Sequence, residues 1–187
     1  MSPISLPPLV DAEVRLRRPS VTDVAAITRA CRDPEIQRWT RVPAPYTEAH
    51  AHDFIVMHEQ DLAEGTGVHL LAADAATDAL LGAVGLSIDR RDDSAEVGYW
   101  VAPEARGRGV ATRATRLVLR FGLDHLDVAY VMLHAAVANP ASNAVARSLG
   151  FTLEGTSRDA MRIGPTGDRS APRGDANLWG LRPGELR

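Results

Sequence analysis

Cysteine is almost missing from this sequence: Cys31 is the single one among 187 residues, so no intramolecular disulfide can form. No uninterrupted apolar run approaches the roughly 20 residues that a membrane-spanning helix needs. The opening residues, Met1 to Pro8, carry neither a basic stretch nor an apolar one, so no secretory leader is expected and the protein is expected in the cytoplasm, away from the membrane. An excess of positive charge is also lacking. Lys and Arg number 21 against 24 Asp and Glu, for a formal net charge of −3 and a pI near 6.1. That balance argues against a nucleic-acid or membrane-surface partner, and it makes the arginines local tools. Internal repeats are absent, and biased composition is confined to the Gly, Arg and Pro stretch from Gly164 to Gly174, read as a mobile loop between the last two strands. No His or Cys group has zinc-site spacing. His50 and His52 are two apart on a helix and do not share a face, so no metal is expected. No hydrolase elbow accompanies Cys31, which reads as a small core residue.

What is present is enough for one sizeable core. With 45% hydrophobic residues, the chain is expected to form a single domain over residues 1–187. Val14-Arg15-Leu16-Arg17 alternates as a strand, Pro19 stops it, and Thr22-Asp23 starts an apolar-periodic helix running to about Arg32. Asp33-Pro34 breaks that helix, and the alternating prolines of Thr40 to Tyr46 require a loop. Thr47-Glu48 begins a second helix that ends at Gly65. Val68–Ala73, Leu80–Ile88 and Ala95–Val101 follow as an antiparallel meander. Then come a helix from about Gly109 to Leu123, a strand from Tyr130 to Val137, a short helix from Ser142 to Leu149, and strands near 151–156 and 177–181.

Chemistry concentrates in "EARGRGVATRA". The first backbone N–H groups of a helix lack intrahelical partners and sit at the positive end of its dipole, so they hold a phosphate where glycine lets the ligand approach. Gly107 and Gly109 permit that approach, Val110, Ala111 and Thr112 supply the amides, and Arg106 and Arg108 can add charge. A nucleoside triphosphatase loop would require Gly-Lys-Ser/Thr, and Val110-Ala111 follows Gly109 instead. A dinucleotide fingerprint would require an acidic residue at the end of the next strand, which here ends in Ala138-Asn139.

Arg106, Gly109 and Ala111 match the Gln/Arg-x-x-Gly-x-Gly/Ala signature of the GCN5-related N-acetyltransferases, the GNAT family. The resemblance extends over nearly the whole chain, through "VRLRRPSVTDVAAI", "DPEIQRWT", "AEVGYWVAPEARGRGVATRA", "NPASNAVARSLGF" and "NLWGLRPGEL", and is greatest to the RimJ/RimL branch. It implies an α+β fold with a mixed, mainly antiparallel sheet of about seven strands and about four helices, splayed between the fourth and fifth strands. Acetyl-CoA would lie in the gap as co-substrate, with its pyrophosphate on the Arg106 to Thr112 amides. The resemblance further implies direct transfer of acetyl, or of a larger acyl group, to a primary amine in a ternary complex. The acceptor could be a protein N-terminus or a small molecule, and a homodimer stays open.

Residue by residue, Asn139 matches the asparagine that contacts the pantetheine arm, and Ser142 matches a serine near the CoA sulfur. Ser142 reads equally well as the N-cap of its helix. Trp100 or Val101 is expected to give the oxyanion a backbone N–H. The tyrosine acid of many relatives falls at Ala146 here, and the carboxylate positions of the ribosomal-protein enzymes fall at His134 and Met161. Glu96 and His134 are therefore rival candidates for the general base. Trp39, Arg41 and Tyr46 in the Pro-rich loop, and Arg169 and Arg173 in the late loop, would border the acceptor pocket. The missing acid leaves a second reading, a non-catalytic acyl-CoA-binding module or sensor.

Overall fold

The structure is a computed structural model that describes residues 3–187. Eight strands form one sheet: β1 (Leu9–Val10), β2 (Val14–Arg17), β3 (Gly67–Asp74), β4 (Leu80–Asp89), β5 (Ser94–Val101), β6 (Tyr130–Ala136), β7 (Thr152–Arg162) and β8 (Arg173–Leu181). Their spatial order is β1-β2-β3-β4-β5-β6-β8-β7. Every pairing is antiparallel except β5 with β6. That parallel pair holds only at Ser94↔Tyr130, Ala95↔Val131 and Glu96↔Met132. Beyond Glu96 the strands part, so β5 from Val97 onward presents backbone groups to the gap with no strand partner there. Such groups seek hydrogen bonds from whatever enters.

Five α-helices complete the fold: α1 (Val24–Cys31), α2 (Pro34–Trp39), α3 (Glu48–Glu64), α4 (Val110–His125) and α5 (Pro140–Leu149). The α3 ends are chemically explicit. Thr47 caps it by accepting from the His50 N–H, and Gly65 closes it in the left-handed region at φ 74°. α4 buries Val110, Ala114, Val118, Leu119 and Phe121 against one face of the sheet, in a core shared with Leu70, Val84, Leu86, Val97 and Leu133. On the opposite face, α1 and α3 cover Leu71 and Ala83 with Val24, Ile27, Cys31, Tyr46 and Ala51. No helix among the described residues is long and apolar enough to cross a membrane.

The differences from the sequence reading have local causes. The extra strand is the two-residue β1, paired with β2. The extra helix is α2: Asp33-Pro34 does end α1, but Asp33 then caps a new helix by accepting from the Ile36 N–H at 3.0 Å, with Pro34 in its first turn. Trp39 therefore ends a helix and does not belong to the Pro-rich loop. α5 starts at Pro140, two residues before Ser142, because Asn139 is its cap. The last two strands run longer than expected, as a hairpin that reaches Arg162 and Arg173.

Candidate active site

The turn between β5 and α4 is built from two glycines in the left-handed region, Gly107 at φ 74° and Gly109 at φ 73°. Gly109 is the N-cap of α4 and offers no side-chain cap to the helix amides. A Cβ on Gly107 would meet nothing within 4 Å, and one on Gly109 only Arg113 Nε at 4.0 Å. Open space above uncapped amides suits a pyrophosphate. The two flanking arginines are not free, however. Arg106 pairs with Asp33 at the α1–α2 junction, and Arg108 Nη2 lies 3.6 Å from Asp74 Oδ2. Burial pushes the Asp33 carboxyl up, but the Arg106 bond and the Ile36 N–H outweigh it and hold the group below the usual carboxylate range. Asp33 was not singled out in the sequence; its pairing with Arg106 spans 73 positions.

A cleft of about 410 Å³ runs from this turn into the parting of the sheet. It collects most of the residues expected to bind the co-substrate: Trp100, Val101, Arg106, Gly107, Gly109, Val110, Ala111, Thr112, Asn139 and Ser142, with Trp39 on its α2 side. Arg108 is turned away toward Asp74 and does not line it. Tyr46, expected at the acceptor pocket, lines a neighbouring cavity, buried at 5% exposure beside the Cys31 thiol.

At the inner wall the structure supplies a hydroxyl that the sequence reading overlooked. Tyr99 OH lies 2.9 Å from Ser142 Oγ, and both residues line the cleft. Burial pushes the Tyr99 phenol up to about 12, the Ser142 bond opposing. A phenol so placed keeps its proton at neutral pH and stays available as a donor. The N-cap reading of Ser142 is corrected: Asn139 Oδ1 accepts from the Ser142 N–H at 3.1 Å, leaving the Ser142 hydroxyl to Tyr99. Ala146, the position of the absent acid, is fully buried at 0% exposure. Asn143, also passed over, is a structural tie. Its amide donates to the Ala136 and Asn139 carbonyls, and its oxygen accepts from Asn177 and Trp179.

The two rival bases touch. His134 Nδ1 lies 3.0 Å from Glu96 Oε1, across the parting of β5 and β6. Both line a further cavity with Trp39, Arg41, Met161 and Arg162. Arg169 and Arg173 do not line it. Arg162 holds the late loop instead, its Nη1 donating to the Arg169 and Ala171 carbonyls at 2.9 Å each. Among the described residues no cluster of His, Cys, Asp and Glu could hold a metal.

A sheet that parts beside an uncapped helix, with titratable side chains at the parting, is an arrangement that a group-transfer enzyme with a pyrophosphate-bearing co-substrate would use. The chain belongs to the GNAT acetyltransferase family: the Acetyltransferase (GNAT) domain profile matches residues 13–152. The chain is 36% identical over 77 residues to the N-acetyltransferase YdaF of Bacillus subtilis (strain 168), a match spanning 41% of this chain and 42% of that one. It is 30% identical over 103 residues to the ribosomal-protein-serine acetyltransferase of Escherichia coli (strain K12), 54% of each chain. The matched stretches thus span about half the length of these relatives. The fold is also that of RimL, the ribosomal L7/L12 alpha-N-protein acetyltransferase solved with coenzyme A, at TM-score 0.82 and 20% identity over 94% of this chain and 98% of that one. Enzymes of the family draw acetyl from acetyl-CoA, and the open, uncapped turn of this chain fits that co-substrate.

Proposed function

We propose that the protein transfers acetyl from acetyl-CoA directly to a primary amine, with both substrates bound together. The observation that carries this reading is the disposition of two polar pairs along β5. Glu96 with His134 stands on one face of the strand, and Tyr99 with Ser142 on the other, where the sheet opens. An amine arrives mostly as an ammonium and must shed a proton before its nitrogen can attack a thioester. The Glu96–His134 pair takes that proton, directly or through water. The backbone N–H of Val101, which faces the gap while that of Trp100 faces β4, stabilises the charge on the carbonyl oxygen. As the C–N bond forms and the C–S bond breaks, the Tyr99–Ser142 pair donates a hydrogen bond to the departing sulfur. The amides of Val110, Ala111 and Thr112 hold the pyrophosphate, and Asn139 borders the arm. Trp39 and Arg41 border the space from which the amine approaches.

A protein N-terminus heads the acceptors to test, since two of the relatives are named for ribosomal proteins. The test is release of free thiol from acetyl-CoA on addition of an amine panel that includes short peptides. No lysine occurs in this chain, so no internal ε-amine contributes to the signal. Tight acetyl-CoA binding with no thiol released by any amine would favour the sensor reading instead.

A further inference from the structure

The face of the sheet that carries Glu96 continues into a second cavity. Glu96, Gly98 and Trp100 alternate onto that face of β5, opposite Ser87, Gly85 and Ala83 of β4. On this floor stands a cavity of about 570 Å³, walled by Ile27, Val42, Tyr46, Phe54, Met57 and Trp100. Its inner end is uncharged at neutral pH, because burial pushes the Cys31 thiol up to about 12 and raises the Tyr46 phenol as well. Polar side chains also line it: His69 stands beside Gly85 with its Nε2 3.0 Å from Asp61 Oδ2, His50 is half-buried, and Arg41 and Asp53 are exposed.

We infer that this cavity receives a bulky apolar side chain carried by the acceptor beside its amine. The substrate class is then primary amines flanked by a large aliphatic or aromatic group, in contrast to the serine named for the E. coli relative. The inference rests on the acetyl-transfer reading, and three observations carry it further. The first is position. An amine that gives its proton to Glu96 and attacks a carbonyl held near Trp100 must lie over Gly98, since these residues span roughly 13 Å at about 3.4 Å per residue. The second is access: a Cβ on Gly98 would meet nothing within 4 Å, so nothing on the floor separates the amine's place from the cavity. The third is chemistry. A side chain of one or two heavy atoms would leave most of a 570 Å³ apolar space to water, whereas an apolar group of aromatic size would release that water.

The experiment compares phenylalaninamide and leucinamide with alaninamide and serinamide in two arms, using the full chain saturated with CoA or acetyl-CoA. One arm measures kcat/KM by thiol release, and the other measures amine affinity by calorimetry with CoA bound. The expected result is a preference for the bulky amines of ~10-fold or more in both arms, the scale on which apolar pockets discriminate. That ratio should fall toward one in Met57→Trp and in Phe54→Trp, two separate fillings of the cavity, each checked by its melting curve. Equal rates and affinities across the panel overturn the substrate class while the released thiol upholds acetyl transfer. A binding preference with no thiol released overturns acetyl transfer and upholds the cavity's ligand. Faster use of hexanoyl-CoA than of acetyl-CoA, with alaninamide as acceptor, assigns the cavity to the acyl chain and overturns the proposal.

Discussion

His134 on β6 reaches Glu96 on β5 with its Nδ1 at 3.0 Å, just where the two parallel strands stop pairing. The contact turns two rival bases into one unit. A carboxylate on one ring nitrogen fixes the orientation of the imidazole, and the imidazole in turn orients the carboxylate.

Glu96→Gln and His134→Ala are each expected to lower kcat/KM at neutral pH by ~10²-fold or more. The double variant should lose little beyond the worse single one, since residues acting as a unit do not add. Steady-state rates and acetyl-CoA affinities for the three variants check this. Additive losses would make the two independent, and full activity in both singles would remove the pair from the proton path.

The Tyr99–Ser142 contact separates catalysis from capping. Tyr99→Phe and Ser142→Ala should each slow single-turnover transfer by ~10-fold or more, as expected when a donor to developing charge is removed. Ser142→Ala should nevertheless melt near the wild-type temperature, whereas Asn139→Ala should lose ~1 kcal/mol because Asn139 is the cap. A reversed order of melting temperatures would return the cap to Ser142.

Gly109→Trp places a side chain in the open space above the α4 amides and forces an L-residue to φ 73°. The strain is ~1–2 kcal/mol, so the protein should fold, with acetyl-CoA affinity reduced by ~10²-fold or more through the blocked amides. Calorimetric titration beside a circular dichroism spectrum measures both. Undiminished affinity in folded protein would rule out this turn as the pyrophosphate site.

Acid should destabilise the fold through His58, which has 0% exposure. Burial pushes its imidazole below the ordinary 6.5, only partly opposed by Glu59, and His69 is lowered in the same way against the pull of Asp61. The unfolded chain then binds more protons than the folded one as pH falls past 6.5. Stability is therefore full above that pH and declines below it, until the lower folded values are passed. Urea midpoints at pH 7.5 and 5.0 should differ more for the wild type than for His58→Leu. An equal difference would locate the acid sensitivity elsewhere.

Elements with a strong local signature were legible in the sequence. Thr47 and Gly65 bound α3 as their chemistry requires, and Gly107 and Gly109 mark the α4 turn because the backbone needs left-handed residues there. Two signals were legible but ambiguous. Asp33-Pro34 both ends α1 and begins α2, and Asn139-Pro140-Ala141-Ser142 offers two caps, which proline's preference for a first helical position resolves in favour of Asn139. The alternation of β5 places Glu96 and Tyr99 on opposite faces. It could not show that Tyr99 meets Ser142 across 43 positions or that Glu96 meets His134 across 38, because tertiary packing sets both contacts. The hairpin of β7 and β8 ran past its expected ends because most of β7 is exposed on both faces and shows no apolar period.

The carboxylates beside the two arginines of the turn, Asp33 on Arg106 and Asp74 on Arg108, bear on how the co-substrate arrives. With each guanidinium already answered, the mouth of the cleft projects little field into solvent, and a polyanion approaching from beyond a Debye length, about 8 Å at physiological ionic strength, is not drawn in. Association should therefore proceed at an unsteered rate that barely changes between 20 and 300 mM salt. On the acetyl-transfer reading, recognition is then left to the short-range fit of the amides.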